Sequence, residues 1–294
     1  SAFQQFKSQL GSFLLLAGNN CLAMLPRMIE GQLENGTTNP APKIEVFLPV
    51  EKGRTDIGVI IFPGGGYRGL AEHEGAGFAH FFQSQGIAAF VVECRFGSAG
   101  YHHPAMLEDA LAAIEEVRSR AMEFGIDPDK VGVMGSSAGG HLTAHTLTSY
   151  GEYSKELRPD FGILCYSVIE MVGVYTHTGS RRNLLGDEPS RELRRSVSPE
   201  LKVTAETPPC FIWHTVEDPV VPVENSLSFA SALQAKGVPF ELHMYPKGRH
   251  GLGLITDFLW EESLIRWLEG QRQGNFHYFR RQIDLQLLEK ASRS

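Results

Sequence analysis

A serine hydroxyl becomes a nucleophile when a base takes its proton and a third group orients that base. Three stretches of this 294-residue chain supply such groups. The first is Gly135-Ser136-Ser137-Ala138-Gly139, which fits G-x-S-x-G with Ser137 at its centre. An apolar run from Val131 to Met134 leads into it, and a helix-like segment from Leu142 to about Tyr150 follows. Strand, tight turn, then helix is the context in which such a serine sits on strained backbone with its hydroxyl clear of the sheet. Small residues must stand two positions either side, because a side chain there would strike the neighbouring strand or helix. The helix N-terminus then aims its amides at charge developing beside the serine. A glycine-rich turn with a capping serine is the bland alternative, and the flanking strand and helix argue against it.

The acid and the base come later. The strand-like run Cys210 to His214 ends in Thr215-Val216-Glu217-Asp218-Pro219. The run Glu241 to Tyr245 ends in Pro246-Lys247-Gly248-Arg249-His250-Gly251. Asp218 is the favoured acid, with Glu217 as the alternative, and His250 is the candidate base. The chain order Ser137, Asp218, His250 is the one used on α/β-hydrolase sheets, unlike the chymotrypsin or subtilisin orders. All three fall beyond strand carboxyl ends, where ligand sites of such sheets lie. Asp218-Pro219 as a simple turn and His250 as an exposed loop residue are the dull readings. With a neutral histidine as base, activity is expected to fall as pH drops through about 6 to 7.

The loop Pro63-Gly64-Gly65-Gly66-Tyr67 has two readings. Gly64-x-Gly66-x-x-Gly69 follows a strand, and Glu93 ends the next strand, which imitates a dinucleotide fingerprint. In that fingerprint the helix begins at the glycines, whereas here the helical pattern starts only after Leu70 to Glu74. An oxyanion loop fits better: the Gly65 and Gly66 amides, with that of Ala138, would face a tetrahedral intermediate. Tyr67 and His103 are candidate substrate contacts, the latter because His102-His103-Pro104 suits a pocket edge or the start of a helix. His141 and His145, one helical turn apart, resemble a metal-binding pair, but they lack the zinc-peptidase glutamate and a third ligand. They read as packing and hydrogen-bonding residues, and no metal site is assigned.

The elements that must position these groups alternate. Strand-like runs at Lys43–Leu48, Ile57–Phe62, Ile87–Cys94, Val131–Met134, Phe161–Val168, Cys210–His214 and Glu241–Tyr245 are separated by helical patterns. Those patterns run over Gly75–Ser84, from Pro104 to near Phe124, over Val223–Lys236 and over Asp257–Leu268. Alternation of this kind predicts an α/β fold, a mainly parallel central sheet with helices on both faces. Periodicity fades between about 170 and 208, which predicts a small cap-like insertion. The expected organisation is an N-terminal extension over 1–42, a catalytic domain over 43–270 and an amphipathic tail over 271–294 that offers a route to oligomers.

Net charge is −7 and no long basic run occurs, which argues against nucleic acid. No apolar stretch suits a bilayer span. The four cysteines, Cys21, Cys94, Cys165 and Cys210, are far apart and suggest buried thiols. Leu10 to Ala17 has the length of a signal-peptide core, but Asn19-Asn20 interrupts it, so a packed helix and a cytoplasmic setting are favoured over secretion. Asn35-Gly36-Thr37 reads as a surface turn, and as a glycosylation site only in a secreted protein.

Taken together, PGGGY, GSSAGGH, HTVEDPVVP and KGRHGLG make the chain resemble the α/β-hydrolase esterases of the acetyl-xylan-esterase-like, or BD-FAE, family, near prolyl oligopeptidases and hormone-sensitive lipases. The likeness runs from about Lys43 to Leu268 and includes the Asp127-Pro128 turn before the serine motif. It implies an α/β-hydrolase fold and a serine carboxylesterase acting on short acyl esters, with acetyl groups on plant-type carbohydrate as the expected substrate. It also implies no cofactor and no large lid. The sequence departs from the family pattern at Pro63, where lipase relatives carry histidine, at Ser167, where proline is expected after Tyr166, and in the tail after Gly274. A prolyl-oligopeptidase-like peptidase, a feruloyl-type esterase and a non-catalytic binding protein on the same scaffold are the rival expectations.

Overall fold

The structure is a computed structural model that describes residues 27–30 and 41–272. Among these the strands are β1 (Arg27–Glu30), β2 (Lys43–Phe47), β3 (Gly58–Phe62), β4 (Ala88–Glu93), β5 (Val131–Ser136), β6 (Gly162–Cys165), β7 (Cys210–Thr215) and β8 (Phe240–Tyr245). The helices are α1 (Glu72–Ser84), α2 (Ala105–Ser119), α3 (Ala121–Phe124), α4 (Ser137–Ser149), α5 (Thr178–Leu185), α6 (Arg191–Ser196), α7 (Glu224–Ala235) and α8 (Trp260–Arg272).

The strands form one sheet in the order β1-β2-β4-β3-β5-β6-β7-β8. β1 and β2 pair antiparallel with their neighbours, and the pairs from β4 to β8 are parallel. The apolar runs of the central strands are the mark of strands covered on both faces. Along β3, Ile60 and Phe62 join a core with residues of α2, α4 and α7, while Val59 and Ile61 join a second core with α1 and α8. Trp213 of β7 stacks on Trp260 of α8 at 4.8 Å between ring centroids, which fastens the last helix to the sheet. This is the expected α/β-hydrolase fold. Strand order reverses beside β3, whose neighbours are β4 and β5. The crevice beyond such a reversal is where ligands gather on open α/β sheets.

Several boundaries differ from the sequence reading. The sheet takes in Arg27–Glu30, inside the expected N-terminal extension. α1 starts at Glu72, three residues before Gly75, because its first turn carries charged residues that hide the apolar period. The long helix breaks at Arg120 into α2 and α3, and Gly125 ends the second piece at φ 61°. β6 stops at Cys165 because Tyr166 turns the chain at φ 37°. α8 starts later than Asp257 and runs past residue 270 to Arg272. The region from 170 to 208 holds α5, α6 and a 3₁₀ turn at Pro199–Leu201. Cys94, Cys165 and Cys210 are buried free thiols. No helix among the described residues is long and apolar enough to cross a membrane. The Leu10–Ala17 segment, Cys21, the Asn35 turn and the tail after Gly274 lie outside the described residues.

Candidate active site

β5 runs straight into α4, and Ser137 occupies the junction at φ 53°, a left-handed conformation costly for a side chain with a Cβ. Neighbouring backbone holds it there. A Cβ on Gly135 would lie 2.1 Å from the Gly139 carbonyl oxygen, and one on Gly139 would lie 2.0 Å from that of Phe62. The two glycines therefore let strand and helix meet closely enough to make the turn. The Val168 amide donates to the Ser137 carbonyl at 3.0 Å and pins the junction from the β6 side.

Register levels the two partners. Thr215 of β7 pairs with Tyr245 of β8, so the loops that follow leave the sheet side by side, and the Thr215 hydroxyl donates to Gly248 O at 3.0 Å. His250 Nε2 lies 2.8 Å from Ser137 Oγ, and its Nδ1 lies 2.7 Å from Asp218 Oδ2. A carboxylate can only accept, so Nδ1 carries the proton and Nε2 faces the serine as acceptor. Glu217, the alternative acid, is exposed, whereas the Asp218 side chain is fully buried. Asp218 Oδ1 accepts from the Val220 and Val221 amides at 2.9 and 3.0 Å. Burial pushes the Asp218 carboxyl up, but hydrogen bonds from His214, His250 and the Val221 amide outweigh it and hold the acid well below the usual carboxylate range.

His214 is a partner that sequence reading treated only as the end of a strand. Its Nδ1 lies 2.8 Å from Ser226 Oγ, and its Nε2 lies 3.1 Å from Val221 O and 3.3 Å from Asp218 Oδ2. The Val221 carbonyl requires a proton on Nε2, so the same N–H leans on Asp218 Oδ2, the oxygen that His250 Nδ1 also meets.

The glycine loop faces the serine. Gly65 adopts φ 127° and Gly66 φ 67°. A Cβ on Gly65 would come within 2.1 Å of Gly69 O, so only glycine fits. The Gly64 amide is spent on Glu74 Oε2 at 2.9 Å, which leaves the Gly65 and Gly66 amides as the loop's available donors. Ala138 N–H, in the first turn of α4, has no intrahelical acceptor by position. The dinucleotide alternative meets a direct obstacle: the carboxylate of Glu74, in the first turn of α1, occupies the place a pyrophosphate would need.

Tyr67 and His103 engage a cluster of histidines. Tyr67 is buried, and its hydroxyl lies 2.7 Å from His141 Nδ1. His141 Nε2 lies 2.8 Å from Val197 O, so Nε2 donates there and the tyrosine donates to Nδ1. The His103 ring packs 5.3 Å from that of His145, which lies 5.8 Å from His141. Among the described residues no hydrogen bond joins Tyr67 or His103 to Ser137, Asp218 or His250. Burial lowers the pKa of all three clustered histidines, that of His141 to about 4. His141 and His145 are packing and hydrogen-bonding residues, as expected from the sequence, and His103 packs against them.

The insertion supplies residues that motif reading did not name. Asn183 of α5 donates from Nδ2 to Gly66 O at 2.8 Å, so the insertion braces the glycine loop. His177 caps α5 and sits close enough to His250 and Asp218 to feel both charges. Burial, then the His250 charge, lowers its pKa. Its position had no periodic or motif signal.

A hydroxyl on strained backbone, an imidazole within reach of its proton, a buried carboxylate behind that ring and available amides in the adjacent glycine loop and helix turn are groups that can together carry acyl transfer. The chain is similar to known proteins over most of its described length. The chain is 39% identical over 223 residues to the endo-1,4-β-xylanase B of Butyrivibrio fibrisolvens, covering 72% of this chain and 34% of that protein. It is 36% identical over 233 residues to an acetylxylan esterase of Xylanibacter ruminicola, covering 76% and 47%. It thus spans about a third to a half of the length of these curated relatives. The crystal structure of an acetyl ester-xyloside bifunctional hydrolase from Caldicellulosiruptor lactoaceticus superposes with a TM-score of 0.75 at 38% identity, covering 84% of this chain and 97% of that one. The BD-FAE family model matches residues 44–233, more than half of the chain and everything from β2 through the serine turn and the acid loop into α7. The chain belongs to the BD-FAE family.

Proposed function

We propose that the protein is a serine ester hydrolase that removes short acyl groups, with acetylated saccharide as its substrate class. The observation that carries the reading is the relay Ser137–His250–Asp218, closed by contacts of 2.8 and 2.7 Å. His250 Nε2 takes the Ser137 proton as Oγ attacks the ester carbonyl carbon. The carbonyl oxygen becomes an oxyanion received by the Gly65, Gly66 and Ala138 amides. Asp218 stabilises the imidazolium and keeps its Nδ1 proton in place. His250 then protonates the leaving alcohol oxygen as its bond to carbon breaks, which leaves an acyl-Ser137. Water repeats the sequence and frees the acid. The substrate class is supported by the acetyl-ester and xylan activities named for two relatives and the structural neighbour. An insertion of two short helices in place of a deep lid suits a bulky alcohol.

The test is hydrolysis of p-nitrophenyl acetate and of acetylated xylo-oligosaccharides by the wild type and by Ser137→Ala. The variant should lose on the order of 10⁶-fold in kcat. Wild-type turnover in Ser137→Ala, or hydrolysis of peptides in preference to esters, would overturn the proposal.

A further inference from the structure

Two loops must keep a fixed distance for this chemistry: the glycine loop after β3, which receives the oxyanion, and the loop after β8, which carries the base. They are far apart in sequence, and one buried carboxylate joins them. Glu74 is 3% exposed. Its Oε2 accepts from the Gly64 amide at 2.9 Å, immediately before Gly65. Its Oε1 accepts from the Tyr166 hydroxyl at 2.8 Å. That hydroxyl in turn accepts from the Gly253 amide at 3.0 Å, three residues after His250. The Tyr166 ring also meets the His250 ring edge-on at 5.2 Å, and Tyr166 sits at φ 37°, a backbone conformation that its surroundings must hold. Next to Glu74, His73 Nε2 lies 3.1 Å from Gly251 O, a second tie from α1 to the histidine loop.

A carboxylate is the only side chain of this size that accepts at both ends. Both groups facing it donate, and both lie in a site with little water to replace a lost bond. The close fit extends to Gly64, where a Cβ would fall 2.2 Å from Glu74 Oε2.

We propose that Glu74, acting through Tyr166, is a positioning residue that sets the spacing between the oxyanion amides and His250. It touches neither substrate nor reacting atoms. The inference rests on the ester-hydrolase reading, and Glu74→Gln tests it. Shape is kept, but the glutamine amide nitrogen either faces the Gly64 N–H and loses that tie or donates to the Tyr166 hydroxyl and reverses the other, since a hydroxyl accepts as well as donates. In both cases the charge is gone. In p-nitrophenyl acetate hydrolysis kcat should fall by about 10- to 100-fold, with KM within about threefold, because misplacement of this kind acts on the transition state. Tyr166→Phe removes the hydroxyl at the other end of the same link. The double variant Glu74→Gln/Tyr166→Phe should therefore be more active than the product of the two single losses predicts. A purely structural glutamate would lower Tm and leave kcat and the coupling untouched.

Wild-type kcat in Glu74→Gln, or strictly multiplicative losses, overturns the role of Glu74 while Ser137→Ala remains dead. No esterase turnover by the wild-type protein overturns the functional reading and this inference with it. If Glu74→Gln does not fold, Tyr166→Phe at wild-type kcat overturns the inference on its own.

Discussion

His141 and His250 each accept a hydrogen bond from a hydroxyl at nearly the same distance, 2.7 Å from Tyr67 and 2.8 Å from Ser137. The difference lies behind the ring. His141 donates its other proton to the carbonyl of Val197, a neutral acceptor, and is fully buried. His250 donates to the Asp218 carboxylate, and its side chain keeps 17% of its surface open. Taking a proton creates an imidazolium, which a carboxylate stabilises and a carbonyl in a dry core does not. The first pair is therefore a fixed strut, and the second can cycle. A hydroxyl–imidazole contact does not make a base, and the acid behind the ring decides.

The largest break in this contrast is Asp218→Asn. An amide cannot supply the negative charge, and its NH₂ group favours the wrong tautomer of His250. Turnover of p-nitrophenyl acetate should fall by about 10⁴-fold with substrate affinity little changed. A loss below tenfold would remove the carboxylate from the relay and erase the distinction between the two histidines.

Next comes His141→Leu, which leaves the Tyr67 hydroxyl and the Val197 carbonyl without partners. At about 2 kcal/mol for each orphaned group, stability to urea should drop by about 4 kcal/mol. For the folded fraction kcat should stay within about threefold of wild type. A collapse of kcat at unchanged stability would make His141 part of the chemistry.

The smallest effect is a slope with pH. Folded His141 takes a proton only near pH 4, while in the unfolded chain it does so near 6.5. Between those values the unfolded state holds more protons, so stability rises with pH and is lost on acidification. From pH 6.5 to 5 the loss from His141 should reach about 2 kcal/mol, at about 1.4 kcal/mol per unit. The depressed acid Asp218 adds a loss only below its unfolded value, near pH 3.9. Urea midpoints at both pH values check the slope, which should shrink in His141→Leu.

Much of the site was legible because its chemistry sits in short runs at strand ends. Gly135 to Gly139, Thr215 to Pro219 and Lys247 to Gly251 each combine a reactive residue with the small or turn-forming neighbours its geometry needs. What stayed hidden depends on pairs distant in sequence. Glu74 reads as one more charge in AEHEG, and only the folded chain brings it to Tyr166, 92 residues on. His214 looks like a strand residue until the Val221 carbonyl fixes its tautomer. His177 lies where no period or motif exists. The missed strand β1 is four residues long, and of its side chains Arg27 and Met28 are exposed, so alternation had almost nothing to register.

The junction at Ser137 leaves no spare volume, while the neighbouring insertion exposes Val174 and Tyr175 to solvent. Substitutions at the exposed Val174 and Tyr175 can thus change the surface beside the site with the Ser137 hydroxyl left where it is. The insertion therefore has room for sequence change, whereas the turn, closed in by the Gly139 and Phe62 carbonyls, has none.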